Sequence, residues 1–213
     1  MSLSEVWRSL QSFDVCVFQW IHPTAAPSPT VMWIALGLAE GTPVLTAGLL
    51  ICAWWLSAGR YRRVVVRAVV FAAIAVLING LIGLAWDRPR PFVAGVGQAW
   101  LAHAATASFP SNHLTLQWVV AGVLLLDRRA RPWGIGIALL GLPMAWARVY
   151  LGVHYPGDML GALGVAALAM LGSRWIAGGG VISGFPAVRP YFTRGRDLLR
   201  KARTRFARSR DAH

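Results

Sequence analysis

Negative charge is nearly absent from this chain. Its 213 residues hold eight Asp and Glu against 21 Lys and Arg, and the one lysine is Lys201. A formal net charge of +13 would suit a nucleic-acid binder, but only 14% of residues are charged and 56% are hydrophobic. That leaves too little polar surface for a soluble domain. Long apolar runs and eleven tryptophans point instead to a membrane protein with anionic lipid neighbours and no nucleic-acid partner. Cysteine is equally scarce. Cys16 and Cys52 stand in no metal-ligand spacing and read as packing residues, which excludes a zinc site and a disulfide framework. No carboxylate cluster suits magnesium, so no metal and no cofactor are expected. There is no internal repeat. A signal peptide is not expected either, because Glu5, Arg8 and Asp14 interrupt any apolar core near the start.

What is abundant is hydrophobic helix. Five stretches, Val31–Leu56, Val64–Ala85, His113–Leu126, Trp133–Tyr150 and Gly157–Trp175, read as membrane-crossing helices. The expected fold is therefore all-α, a polytopic bundle of about five transmembrane helices. A short amphipathic helix carrying Val6, Leu10, Phe13, Val17 and Trp20 precedes it and is closed by His22-Pro23. The third stretch is short for a span of about 20 residues, so its His113 end is expected below the membrane surface. Residues 1–176 form the membrane domain in this reading. Residues 177–213 form a basic cytoplasmic tail, with Leu199, Ala202 and Phe206 as a thin apolar stripe against anionic lipid. Arg60, Arg62, Arg63, Arg67, Arg128, Arg129, Arg131 and the tail share one side, which the positive-inside rule makes cytoplasmic.

Three stretches fall together on the opposite face: Asp87-Arg88-Pro89-Arg90-Pro91-Phe92, Phe109-Pro110-Ser111-Asn112-His113, and Arg148 followed by His154 and Asp158. Ionisable groups beside membrane helices are expensive to bury, so their clustering marks function. A carboxylate bonded to one ring nitrogen leaves the other as a directed nucleophile, which is the reading of Asp158 and His154. Pro110-Ser111-Asn112 leads into a helix start whose free amides accept a phosphate oxygen, with His113 placed to protonate a leaving group. Arg88, Arg90 and Arg148 supply forked donors to a phosphoryl group. Taken singly each feature has a plainer reading: a capping aspartate, an N-cap serine, snorkelling arginines. Together they read as a phosphatase site. Glu40 lies inside the first span and either lines a groove, pairs with a site arginine or makes a structural hydrogen bond. His103 lies in the loop between the motifs and stays outside the catalytic set.

These residues resemble the type-2 phosphatidic acid phosphatase superfamily. Pro110-Ser111-Asn112-His113 matches its Pro-Ser-Gly-His motif, and Ala147-Arg148 with His154 and Asp158 matches Ser-Arg, five residues, His, three residues, Asp. Arg90-Pro91 ends the first motif, with Gly83 in the place of its lysine and leaving space there. The stretches Asn79–Trp86, Arg88–Phe92 and Ala107–Ser111 are similar to the bacitracin-resistance branch of undecaprenyl diphosphate phosphatases. The resemblance implies a multi-pass protein of the bacterial cytoplasmic membrane with an extracytoplasmic site. It implies catalysis by His154, His113 and Asp158 through a phosphohistidine, without metal, with phosphate held by Arg88, Arg90, Arg148, Ser111 and Asn112. Its substrate would be undecaprenyl diphosphate, an isoprenoid lipid phosphate. Phosphatidylglycerophosphate, phosphatidic acid and lipid A transfer remain open, and so does the oligomeric state. A non-enzymatic lipid-binding protein is the reading from another class, which His113, His154 and Asp158 argue against.

Overall fold

Helical periodicity carries through to the computed structural model, which describes residues 2–178 and has no strand among them. Helix α1 (Leu3–Ile21) opens on a capping box between Ser2 and Glu5. Helix α2 (Pro29–Leu36), with Ser28 as its cap and proline in its first turn, runs through a π turn (Gly37–Gly41) into α3 (Thr42–Leu56). The three make one rod of 28 residues. Then come α4 (Arg62–Ala85), α5 (Asn112–Leu125), α6 (Arg131–Tyr150) and α7 (Pro156–Gly178). The rod, α4 and α7 are each long and apolar enough to cross a membrane. Large side chains such as Trp33, Leu77, Leu84 and Leu168 face outward, as lipid contact requires. Five helical units, the rod counted as one, thus follow α1. The compact unit ends at Gly178, so the basic tail with Leu199, Ala202 and Phe206 lies outside the described residues.

The hub is α5. Its 14 residues span about 21 Å, short of a hydrocarbon core of about 30 Å. It need not reach both surfaces, because α4, α6 and α7 pack around it and bury Leu114, Val119, Val120, Val123 and Leu124. Gly134 lets α6 lie this close: a Cβ there would stand 2.8 Å from Leu125 N and 2.9 Å from Ala121 O. Polar pins cross the apolar interior. Thr46 Oγ1 donates to Gln117 Oε1 at 2.9 Å, Gln117 Nε2 to the Ile137 carbonyl at 2.9 Å, and Asn79 Nδ2 to Thr115 Oγ1 at 3.0 Å. Each contributes only about 0.6 kcal/mol in a membrane, so they set helix register more than stability.

Helix α1 is not a free surface helix. Leu10, Phe13 and Trp20, the expected apolar stripe, point outward, while Phe18 is fully buried against Leu114, Met144, Tyr155 and Met159. His22 then ties the end of α1 to the rest: Nδ1 donates to the Tyr150 carbonyl at 3.0 Å, and Nε2 accepts from the Gln98 amide at 3.1 Å. Cys16 and Cys52 are free and exposed rather than packed inside the bundle.

Candidate active site

At one end of the bundle the 86–110 loop, the start of α5, the end of α6 and the start of α7 meet. Helix α6 stops on a Schellman turn: Gly152 takes φ +78°, its amide donates to Val149 O at 3.0 Å, and the Val153 amide donates to Arg148 O at 3.2 Å. That reversal delivers His154 inward two residues later. A Cβ at Gly152 would also run into the Gln98 carbonyl, so glycine is required twice over. Pro156 then opens α7, and Asp158 sits in its first turn.

Asp158 is both a helix cap and the partner of a histidine. Its Oδ2 accepts from the Tyr155 amide at 2.9 Å, from His154 Nδ1 at 3.1 Å and from Ser108 Oγ. The carboxylate assigns the proton to Nδ1 and leaves the lone pair on Nε2. That nitrogen faces Arg90, whose Nη1 donates to it at 3.2 Å. His154 is 2% exposed. Burial outweighs the opposing pull of Asp158, and its pKa falls to about 4. The imidazole is therefore neutral across the physiological range.

Arg90 is held by the loop it belongs to. Its Nε donates to Thr106 O at 3.0 Å, Nη2 to Ala107 O at 3.1 Å, and Nη1 to Val153 O at 2.9 Å. Arg148 is fully buried, yet only its Nη2 is engaged, with the Ala39 carbonyl at 3.0 Å and Glu40 Oε1 at 2.9 Å. Its Nε and Nη1 are buried without partners, and so is Ser111 Oγ at the head of α5. Buried donors without protein partners are uncommon, and these are free to meet an anion or water. His113 is half-buried and within Coulombic reach of Arg148, His154, His103 and Arg90.

Two predicted phosphate contacts stand differently. Arg88 spends its terminal nitrogens on carboxylates: Nη1 donates to Asp158 Oδ1 at 2.8 Å and Nη2 to Asp14 on α1. The exposed Asn112 side chain accepts from Asn79 Nδ2 at 2.9 Å. At Gly83 the space is narrow: a Cβ there would stand 3.1 Å from Ala107 Cβ, so a side chain fits only if Ala107 gives way slightly. The sequence reading gave no role to Ser108, which it noted only within the Ala107–Ser111 stretch, and none to Thr106 or Asp14, which lie outside any motif. It left out His103, whose ring stands edge-on to His154 with centroids 6.1 Å apart. Of the three readings for Glu40, pairing with a site arginine holds. Among the described residues no group of three or more His, Cys, Asp or Glu could share a metal ion.

The family model of the PAP2 superfamily matches residues 64–179. YbjG of Escherichia coli (strain K12), named an undecaprenyl-diphosphatase, is 32% identical over 155 residues, covering 72% of this chain and 77% of that one. The undecaprenyl-diphosphatase BcrC of Bacillus subtilis (strain 168) is 33% identical over 150 residues, 70% of this chain and 77% of its own. The crystal structure of a PAP2-type phosphatidylglycerolphosphate phosphatase from Bacillus subtilis superposes with a TM-score of 0.61 at 20% identity. It covers 85% of this chain and 90% of that one, which is a likeness of fold.

Proposed function

The chain belongs to the PAP2 superfamily, and on that premise we propose that this membrane lipid phosphatase hydrolyses undecaprenyl diphosphate to the monophosphate through a phosphohistidine. One observation supports the chemistry above the others. A buried, neutral imidazole is held by Asp158 and turns its Nε2 lone pair to Arg90, with Arg148, two of whose buried nitrogens have no partner, in Coulombic reach.

His154 Nε2 attacks the terminal phosphorus, and the bond from that phosphorus to the bridging oxygen breaks. Nε2 gives up its hydrogen bond to Arg90, which turns to a phosphoryl oxygen. Arg148 Nε and Nη1 and Ser111 Oγ take the remaining charged oxygens. His113, protonated once the substrate's negative charge lies beside it, passes that proton to the departing lipid phosphate. It then removes a proton from the water that attacks the phosphohistidine, which releases inorganic phosphate and restores both histidines. Asp158 stabilises the positive charge on the His154 ring throughout. Arg88 acts on Asp158 and not on phosphate directly, and the Asn112 backbone amide contributes at the α5 start.

A panel of lipid phosphates tests this reading. Detergent-purified protein is expected to release phosphate from undecaprenyl diphosphate with higher kcat/KM than from phosphatidylglycerophosphate or phosphatidic acid, with and without a chelator. A preference for a monophosphate would assign the site to another lipid, and activity lost to the chelator and restored by magnesium would overturn the metal-free mechanism.

The His154 environment sets a pH dependence. The nucleophile is competent only when neutral, and burial keeps it neutral down to about pH 4. The acid limb of kcat/KM, corrected for ionisation of the substrate, should therefore lie near pH 4 and not near 6.5, the ordinary histidine value. A limb at 6.5 would mean that His154 is solvated in the working enzyme.

We place the site on the extracytoplasmic face, since Arg62, Arg67, Arg128, Arg129 and Arg131 gather at the other helix ends. In a background without Cys16 and Cys52, a cysteine at the exposed Gln98 is expected to react with an impermeant thiol reagent on intact cells. A cysteine at the exposed Arg129 is expected to stay unlabelled. The reverse pattern would put catalysis in the cytoplasm.

A further inference from the structure

We propose that Asp14, on the N-terminal helix and outside the residues that the family model matches, is a positioning residue for the catalytic pair. It acts on His154 through Arg88 and Asp158, and so makes α1 a working part of the active site. The inference rests on the reading of His154 as the nucleophile.

The contacts form an unbroken chain. Asp14 Oδ2 accepts from Arg88 Nη2, and Arg88 Nη1 donates to Asp158 Oδ1 at 2.8 Å. Asp158 Oδ2 in turn holds His154 Nδ1. The links are shielded from water, with side-chain exposures of 13%, 9% and 0% for Asp14, Arg88 and Asp158. Low local polarity strengthens each charge in the row. The Arg88 guanidinium also lies 4.1 Å from the Tyr155 ring centroid and within 5.6 Å of Trp86, so it cannot swing toward solvent without leaving both faces.

Consider the charges. Arg88 alone against Asp158 would make a neutral pair, drawing carboxylate charge toward Oδ1 and away from the oxygen that faces His154. Asp14 neutralises Arg88, and the three groups together carry one net negative charge. That charge is what stabilises a ring becoming positive as Nε2 bonds to phosphorus. The other charged or titratable groups around the ring are Arg90 from the loop, Arg148 from α6, and His103 and His113. The two arginines oppose positive charge on the ring, so the net charge of the Asp14–Arg88–Asp158 row decides the balance.

Asp14 has a second hold on the same turn. Its Oδ1 accepts from the Gly157 amide at 2.7 Å, which caps the helix that carries Asp158. A Cβ at Gly157 would stand 2.7 Å from Asp14 Oδ2, so the glycine is what lets the carboxylate in.

The test uses the full chain in detergent micelles. Asp14→Asn keeps the size and the acceptor for Gly157 but removes the charge. It is expected to lower kcat by about tenfold, the effect of weakening one charge-assisted bond, with KM within about twofold of wild type. Its His154 Nδ1–H resonance, assigned with a His154→Gln variant, is expected to move upfield as Asp158 is drawn to Arg88. Asp14→Glu, which keeps the charge, should restore most of the kcat and the resonance. An unmoved resonance with kcat within twofold of wild type would overturn the proposal, whatever the change in thermal stability. So would a displacement of equal size in Asp14→Glu. The resonance needs no substrate: a wild type that turns over no lipid diphosphate would sink the proposed function and leave the Asp14 result to be read on its own.

Discussion

Replacing His154 with alanine is expected to reduce phosphate release by about 10⁵-fold or more, down to what the cradle alone can do. The size follows from the route. Removing an orienting group or one oxyanion donor slows a covalent mechanism, whereas removing the attacking atom closes it. The protein should stay folded in membranes, because Asp158 retains Arg88, Ser108 and the Tyr155 amide when the imidazole is gone. His113→Ala should differ in kind. The departing group is itself a phosphate and leaves readily, so attack continues slowly while the resolving water loses its base. Phosphate bound to His154, acid-labile and detectable from a terminally ³²P-labelled substrate, is therefore expected to accumulate in His113→Ala and be missing from His154→Ala. Activity in His154→Ala within tenfold of wild type would end the phosphohistidine mechanism.

The second large effect is expected at Arg148. Truncation to alanine removes two buried donors that have no other employment, and with them a full positive charge. A single donor of this kind is worth about 10²–10³ in kcat, so a loss of about 10³-fold or more is expected for the pair. Arg148→Lys should recover little. An ammonium can meet Glu40, but it cannot also present the two further donor nitrogens of a guanidinium. kcat/KM of the variants, at matched amounts of inserted protein, decides this. A fall of less than tenfold in Arg148→Ala would remove Arg148 from the phosphate cradle.

The parts of this molecule that were legible in the sequence are those whose cause is local. Apolar runs foretold the crossing helices within a few residues, because lipid leaves a backbone little choice but to be helical. His154 and Asp158 were legible as a pair, since four residues and a proline put them on one turn. Arg88 shows where such reading stops. Its sequence neighbourhood marks it as a cation of the site, but which anion it meets depends on α1, and Asp14 is brought to Gly157 from 143 positions away. The role of Ser108 was hidden for the same reason: a serine becomes a partner of Asp158 only when the loop is laid across the start of α7. Glu40 was conspicuous as a carboxylate inside a span, while its partner depended on how α6 packs against the rod.

The π turn at Gly37–Gly41 takes up one residue that a regular helix of the same rotation would not hold. A π turn holds one residue more than an α turn, so deleting one residue between 37 and 41 lets the backbone close into continuous α-helix with its two halves close to their present rotation. Deleting a residue elsewhere between Ala35 and Thr46, with the π turn kept, would instead turn one half against the other by about 100°, the angle of one residue in a helix turning 3.6 residues at a time. If α3 then keeps its bond from Thr46 to Gln117, Ala35 leaves its seat against Ala147 and Leu151; if it stays, Thr46 leaves Gln117. Both contacts cannot survive that change. The rod should therefore accept a change of one residue at its π turn and nowhere else between those two anchors. In an alignment of relatives, a one-residue gap within the rod is expected at 37–41.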